Sequence, residues 1–94
     1  MTIQSFRDTR LETILERRVP KGFPADLMSV TRRKLVMLDS ATTLADLRLP
    51  PANRLEALKS DRAGQHSIRV NDQFRICFRW TEHGPADVEF VDYH

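Results

Sequence analysis

A chain of 94 residues with 40% apolar side chains suffices for one compact domain around one core, and it excludes a two-domain enzyme working across a cleft. The formal net charge is only +2 although the isoelectric point is about 9.1. Residues 1–50 carry 9 basic and 6 acidic side chains, residues 51–94 carry 6 and 7; a tail that coats nucleic acid by charge alone is excluded, and a folded surface with selected arginines is not.

The first residues, MTIQSFRDTR, lack the apolar stretch of a signal peptide. Nowhere do about 18 uncharged apolar residues run together, so no membrane span is expected and a reducing cytoplasm is the simplest home. Cys77 is the single cysteine and sits in an apolar run, where it reads as a small buried hydrophobe. Three scattered histidines and that cysteine give no ligand set of metal-binding spacing, so neither a metal nor another cofactor is expected.

In chain order, Ile3–Phe6 alternates and reads as a first or edge strand. Thr9-x-x-Glu12 has capping-box spacing, and Leu11, Ile14 and Leu15 form one apolar face of a helix that Val19-Pro20 and Gly22 end. Pro24 and Asp26 suit the first turn of a second helix. In it Leu27, Val30, Thr31, Leu35, Leu38 and Ala41 recur at three- and four-residue spacing, through about Thr42. The run Arg32-Arg33-Lys34 has two readings, a solvated helix face or a phosphate-binding patch for a large RNA. Thr43-x-x-Asp46 opens one further turn and Pro50-Pro51 stops it.

From Leu55 the period becomes two. Gln65–Val70 and Phe74–Trp80 alternate, and Asn71-Asp72 marks a hairpin. A loop of residues 71–73 pairs Val70 with Phe74, Ile68 with Ile76 and Arg69 with Arg75, which keeps one sheet face dry. His83-Gly84-Pro85 reads as the next turn and Ala86–Tyr93 as the last strand, with Phe78 opposite Val88 and Ile76 opposite Phe90. The predicted architecture is α+β: a single domain, residues 1–94, with two N-terminal helices packed on one face of a small, mostly antiparallel sheet whose other face is open.

Arg69, Arg75 and Arg79 fall on that open face. Like charges opposite each other at 69 and 75 are mildly unfavourable unless an anion lies between them, for which guanidinium forks are suited; alternatively Asp87 and Glu89 neutralise the face. Glu56, Lys59, Asp61, Asp92, Tyr93 and His94 surround it with groups able to move or hold protons. Cleavage of RNA by its own 2′-hydroxyl needs a base, positive charge on the pentacovalent phosphate and an acid for the 5′-oxygen. His94, Glu56 and Asp92 are base or acid candidates, Lys59 and Arg75 charge stabilisers, and Tyr93 a stacking or proton-donating group. His66 alternates with Ile68 and Val70 and is assigned to packing.

The stretch Leu55-Glu56-Ala57-Leu58-Lys59-Ser60-Asp61-Arg62, the stretch Gly64–Ile76 (GQHSIRVNDQFRI) and the terminal Asp92-Tyr93-His94 resemble the HigB-type toxins of the RelE/ParE superfamily. The resemblance spans nearly the whole chain. It implies a RelE-like fold and the toxin of a type II toxin–antitoxin pair, a metal-free, ribosome-dependent endoribonuclease that cuts mRNA in the A site. The implied partners are a HigA-type helix-turn-helix antitoxin, the ribosome and mRNA. The motif's basic residue falls on Arg75 and its terminal Asp, Tyr and His on Asp92, Tyr93 and His94. Glu56 stands where some relatives carry His, and Ser60 where Gly commonly follows the motif Lys59. The alternatives are a non-catalytic inhibitor on the same fold, such as the gyrase-directed ParE branch, and a plain interaction domain. Arg7, Arg10, Arg17, Arg18 and Arg32 to Lys34 are the expected docking footprint, with Arg69 and Arg79 as further RNA contacts.

Overall fold

The computed structural model describes residues 2–93, so the expectation for His94 lies outside the described residues. Two helices, α1 (Thr9–Leu15) and α2 (Met28–Ser40), precede an antiparallel meander of four strands in the order β1-β2-β3-β4: Glu56–Ala57, Gln65–Arg69, Phe74–Thr81 and Gly84–Asp92. Among the described residues no helix is long and apolar enough to cross a membrane.

α1 has seven residues, far fewer than the roughly 12–15 an isolated helix needs, so packing holds it. Leu11 and Ile14 from α1 and Leu35 and Leu38 from α2 are fully buried against Ile68, Ile76, Phe78 and Val88 of the sheet. Each such side chain contributes about 1.5–3 kcal/mol. The N-cap is Asp8, one residue before the expected Thr9: its carboxylate accepts from the Arg10 amide at 3.1 Å and from the Arg10 guanidinium at 2.8 and 3.0 Å. That guanidinium, foremost through its side-chain hydrogen bond, holds the Asp8 carboxyl below the usual aspartate range. α1 also stops earlier than Val19-Pro20, because Arg17 turns left-handed at φ 66°.

The second helix begins with a 3₁₀ turn, Ala25–Leu27, before α2. The Thr43–Asp46 capping box is formed, opening a 3₁₀ turn at Leu44–Arg48. Ile3–Phe6 is not a full strand. It joins the outer side of β4 through one parallel bridge, Phe6 to Val88, and hydrogen bonds from Gln4 N to Pro85 O and Val88 N to Ser5 O.

The β2–β3 hairpin has the three-residue loop, with Arg69 opposite Arg75 and Ile68 opposite Ile76. Asn71 Oδ1 accepts from the amides of Gln73 and Phe74 and so shapes the turn. In the next hairpin the turn is Glu82-His83, and Gly84-Pro85 already belongs to β4. Ile76 faces Phe90 as expected, but the register shifts between Cys77–Glu89 and Arg79–Ala86, so Phe78 does not take Val88 as its register partner. Two residues of β4 there oppose one of β3. Asp87, at φ 54°, sits in this bulge, and its amide is held by Ser5 Oγ at 2.8 Å.

The second sheet face is only partly open. Leu58, in the segment that joins β1 to β2, and Cys77 of β3 are buried outside the main core cluster. Burial pushes the Cys77 thiol up, which fits the expected inert role. The crossing segment turns at Ser60, whose φ of 55° is the left-handed conformation that Gly adopts at no steric cost. Ser60→Gly is therefore expected to stabilise the protein by about 0.5–1 kcal/mol, read as a higher urea midpoint.

Candidate active site

β1, the segment after it and the end of β4 together line a cleft of about 460 Å³, bounded by Glu56, Ala57, Leu58, Lys59 and Tyr93. Glu56 is brought there because it opposes Ser67 on the face that also carries Arg75. Val91 opposes Arg75, so alternation sends Tyr93 to that same face. The Tyr93 amide donates to Gln73 O at 2.6 Å, fixing the strand end, and its hydroxyl donates to Glu56 Oε1 at 3.4 Å.

Arg75 completes the group. Its Nε donates to Ser67 Oγ at 2.7 Å, and its Nη2 to the Arg54 carbonyl at 2.6 Å. Its guanidinium carbon stands 5.7 Å from the centroid of the Tyr93 ring, a cation–π approach worth about 0.5–1 kcal/mol when exposed. Ser67 is fully buried, and Arg54 is left-handed at φ 45° as the cap of the Pro51–Asn53 turn. The guanidinium is therefore held by a backbone carbonyl, a buried hydroxyl and an aromatic face, none of which neutralises its charge.

Arg69 and Arg75, opposite each other in the register, are held by different partners, Arg69 by Asp72 in the hairpin and Arg75 by Ser67 and Arg54. Arg79 is paired with Asp87 at 2.9 Å, as in the neutralising alternative. Glu89 is taken by Arg62 at 2.5 Å, with Arg7 at 4.0 Å. The Glu89 hydrogen bond is the largest cause raising the Arg62 pKa.

Asp92 separates from Tyr93. It opposes Phe74 in the register, and its Oδ2 accepts from Gln73 Nε2 at 3.1 Å, so the cleft receives Tyr93 and not the Asp92 carboxylate. Lys34 also departs from its expected role as a phosphate contact. It is 4% exposed and donates to the buried Asn53 Oδ1, whereas Arg33 is exposed and Arg32 half-buried on the outer face of α2. Burial, then the charges of Arg33 and Arg69, push the Lys34 ammonium below the usual lysine pKa. Among the described residues no cluster of three or more His, Cys, Asp or Glu side chains is placed to hold a metal ion.

Ser67 and the Arg54 carbonyl were not among the expected site groups. Ser67 was findable, since it alternates with Arg69 onto the face of Arg75; a backbone carbonyl aimed by a left-handed residue leaves no trace in side-chain pattern.

The family model for HigB-like toxins, described as the RelE-like toxin of the type II toxin–antitoxin system HigB, matches residues 4–94. "Toxin HigB-1" of Vibrio cholerae serotype O1 is 39% identical over 90 residues, 95% of this chain and 94% of the relative. "Endoribonuclease HigB" of Proteus vulgaris is 32% identical over 92 residues, 98% of this chain and 99% of the relative.

Proposed function

The chain belongs to the HigB-like family of RelE-like toxins of type II toxin–antitoxin systems, and from that premise we propose that the Glu56–Tyr93–Arg75 cleft is the RNA-cleaving site of an endoribonuclease acting on mRNA in the ribosomal A site. The observation that carries this reading is the convergence of a carboxylate, a phenol and an unneutralised guanidinium on one open cleft, with Lys59 on its wall. Glu56 or His94 takes the proton of the 2′-hydroxyl. The oxyanion attacks the adjacent phosphorus, the bond from phosphorus to the 5′-oxygen breaks, and a 2′,3′-cyclic phosphate is left. The departing 5′-oxygen is protonated by the other of the two groups in its acid form. Arg75 and Lys59 stabilise the charge that grows on the phosphoryl oxygens. Tyr93 stacks on the nucleotide or orients it, and Asp92 fixes the end of β4 through Gln73.

The exposed surface of α2 around Arg32 and Arg33 meets ribosomal phosphates, Lys34 being withdrawn from it, and such contacts make association salt-sensitive. Of the remaining footprint, Arg10 and Arg18 are tied to Asp8 and Glu16. A type II toxin has a cognate antitoxin, here of HigA type with a helix-turn-helix domain. Primer extension on an mRNA under translation tests the activity: new 5′ ends at in-frame codons are expected, while growth arrest with intact transcripts overturns the reading in favour of a non-catalytic, ParE-like inhibitor.

A further inference from the structure

Arg54 holds a backbone conformation that its own side chain does not explain. It is left-handed, at φ 45° and ψ 54°, although it is neither Gly nor Asn, and its side chain is exposed and forms no ion pair among the described residues. The residues before it impose the turn. Asn53 N donates to Pro50 O at 2.9 Å and Arg54 N to Pro51 O at 3.0 Å, while the fully buried Asn53 side chain is gripped by Leu47 O, Leu49 O and the Lys34 ammonium. A residue other than glycine persists in such a conformation only where its surroundings over-determine it, and residues of this kind gather at functional sites.

We propose that Arg54 is a positioning residue for the catalytic guanidinium and acts through its backbone; this rests on the endoribonuclease reading. The left-handed turn aims the Arg54 carbonyl at Arg75 Nη2, and together with Ser67 Oγ on Nε it orients the fork so that Nη1 is the nitrogen left for the scissile phosphate. A guanidinium carries five N–H donors in one plane. Nε donates to Ser67 Oγ at 2.7 Å, and Nη2 to the Arg54 carbonyl at 2.6 Å and to the Ser67 carbonyl at 3.4 Å. The donors on Nε and Nη2 thus have acceptors, and those on Nη1 have none among the described residues. Both holding groups are neutral. A carboxylate in either place would fix the fork equally well but would cancel the charge that the phosphoryl oxygens need.

Four variants separate the backbone of Arg54 from its side chain. Arg54→Gly and Arg54→Asn discard the guanidinium yet enter the left-handed region readily, whereas Arg54→Val resists it and Arg54→Pro, with φ held at about −65°, forbids it. Cleavage on programmed ribosomes is expected to stay within about threefold of wild type for Gly and Asn. For Val and Pro kcat is expected to fall about 10–100-fold with KM nearly unchanged, the mark of a misplaced group and not of a lost contact. A Gly variant as slow as Val means that the side chain acts, and overturns the proposal; so does a folded Val variant that cleaves at the wild-type rate. The Nε–H resonance of Arg75, assigned by its loss in Arg75→Lys, gives an independent reading. It is expected to exchange slowly with water in the wild type and in Arg54→Gly, and to move and exchange about tenfold faster in Arg54→Val. A resonance that is the same in all three proteins overturns the proposal, whether or not Arg54→Pro folds. If the wild type cuts no RNA, the endoribonuclease reading fails, and the resonance still decides whether Arg54 sets the geometry of Arg75.

Discussion

Arg75→Ala is expected to lower RNA cleavage by about 10²–10³-fold, the loss typical of removing one preorganised charge from a transition state. Primer extension on a translated message reads the effect. The fold is expected to persist: the variant loses the hydrogen bonds to Ser67 and Arg54 and strands one buried hydroxyl, at about 1–3 kcal/mol, while the core cluster is untouched. Arg75→Lys is expected to fall nearly as far, because a single ammonium cannot hold Ser67 Oγ and the Arg54 carbonyl while also facing a phosphate. Cleavage within about threefold of wild type in a folded Arg75→Ala protein would remove the guanidinium from the mechanism.

The largest expected loss of stability is at Asn53, remote from the chemistry. Its amide donates to Leu47 O at 3.1 Å and Leu49 O at 3.3 Å, and its Oδ1 receives the buried Lys34 ammonium. One side chain thus ties the turns after α2 to the middle of that helix. Asn53→Ala leaves a buried charge and two carbonyls without partners and is expected to cost about 3–5 kcal/mol, measured by urea unfolding. Lys34→Met removes the charge together with its desolvation and is expected to cost less than half as much. The pH dependence has a definite sign: the folded state holds Lys34 below its unfolded pKa, so between the two values the unfolded chain binds more protons and stability rises with pH. Wild type should accordingly gain on Lys34→Met as pH climbs toward the ordinary lysine value of 10.5, and a gap independent of pH would refute the burial argument.

Side-chain alternation carried the β2–β3 register, because only a three-residue loop keeps Ile68, Ile76, Val70 and Phe74 on one face. The Thr43–Asp46 box was equally legible, a local motif with its partners three residues apart. Glu56, Lys59, Arg75 and Tyr93 were reached through proton chemistry and family resemblance together, and they do converge. Lys34 belongs with the core by position and not with the basic surface by charge: it lies three residues after Thr31 and four before Leu38, on the buried stripe. The bulge at Asp87 was hidden for a different reason. An extra residue shifts register without disturbing the composition of either strand, and its stabilising partner, Ser5, is 82 residues away.

That bulge also bears on the order in which the molecule assembles. Gln4, Ser5 and Phe6 find their backbone partners at Pro85 and Val88, so the earliest part of the fold is completed by β4. Contacts so distant along the chain are slow to form and are absent from any nascent chain that has not yet delivered the last strand. The same strand carries Tyr93 to Glu56. Closing the N-terminal seam and lining the cleft with Tyr93 thus both wait on the last strand, and neither is complete in a nascent chain until β4 has emerged.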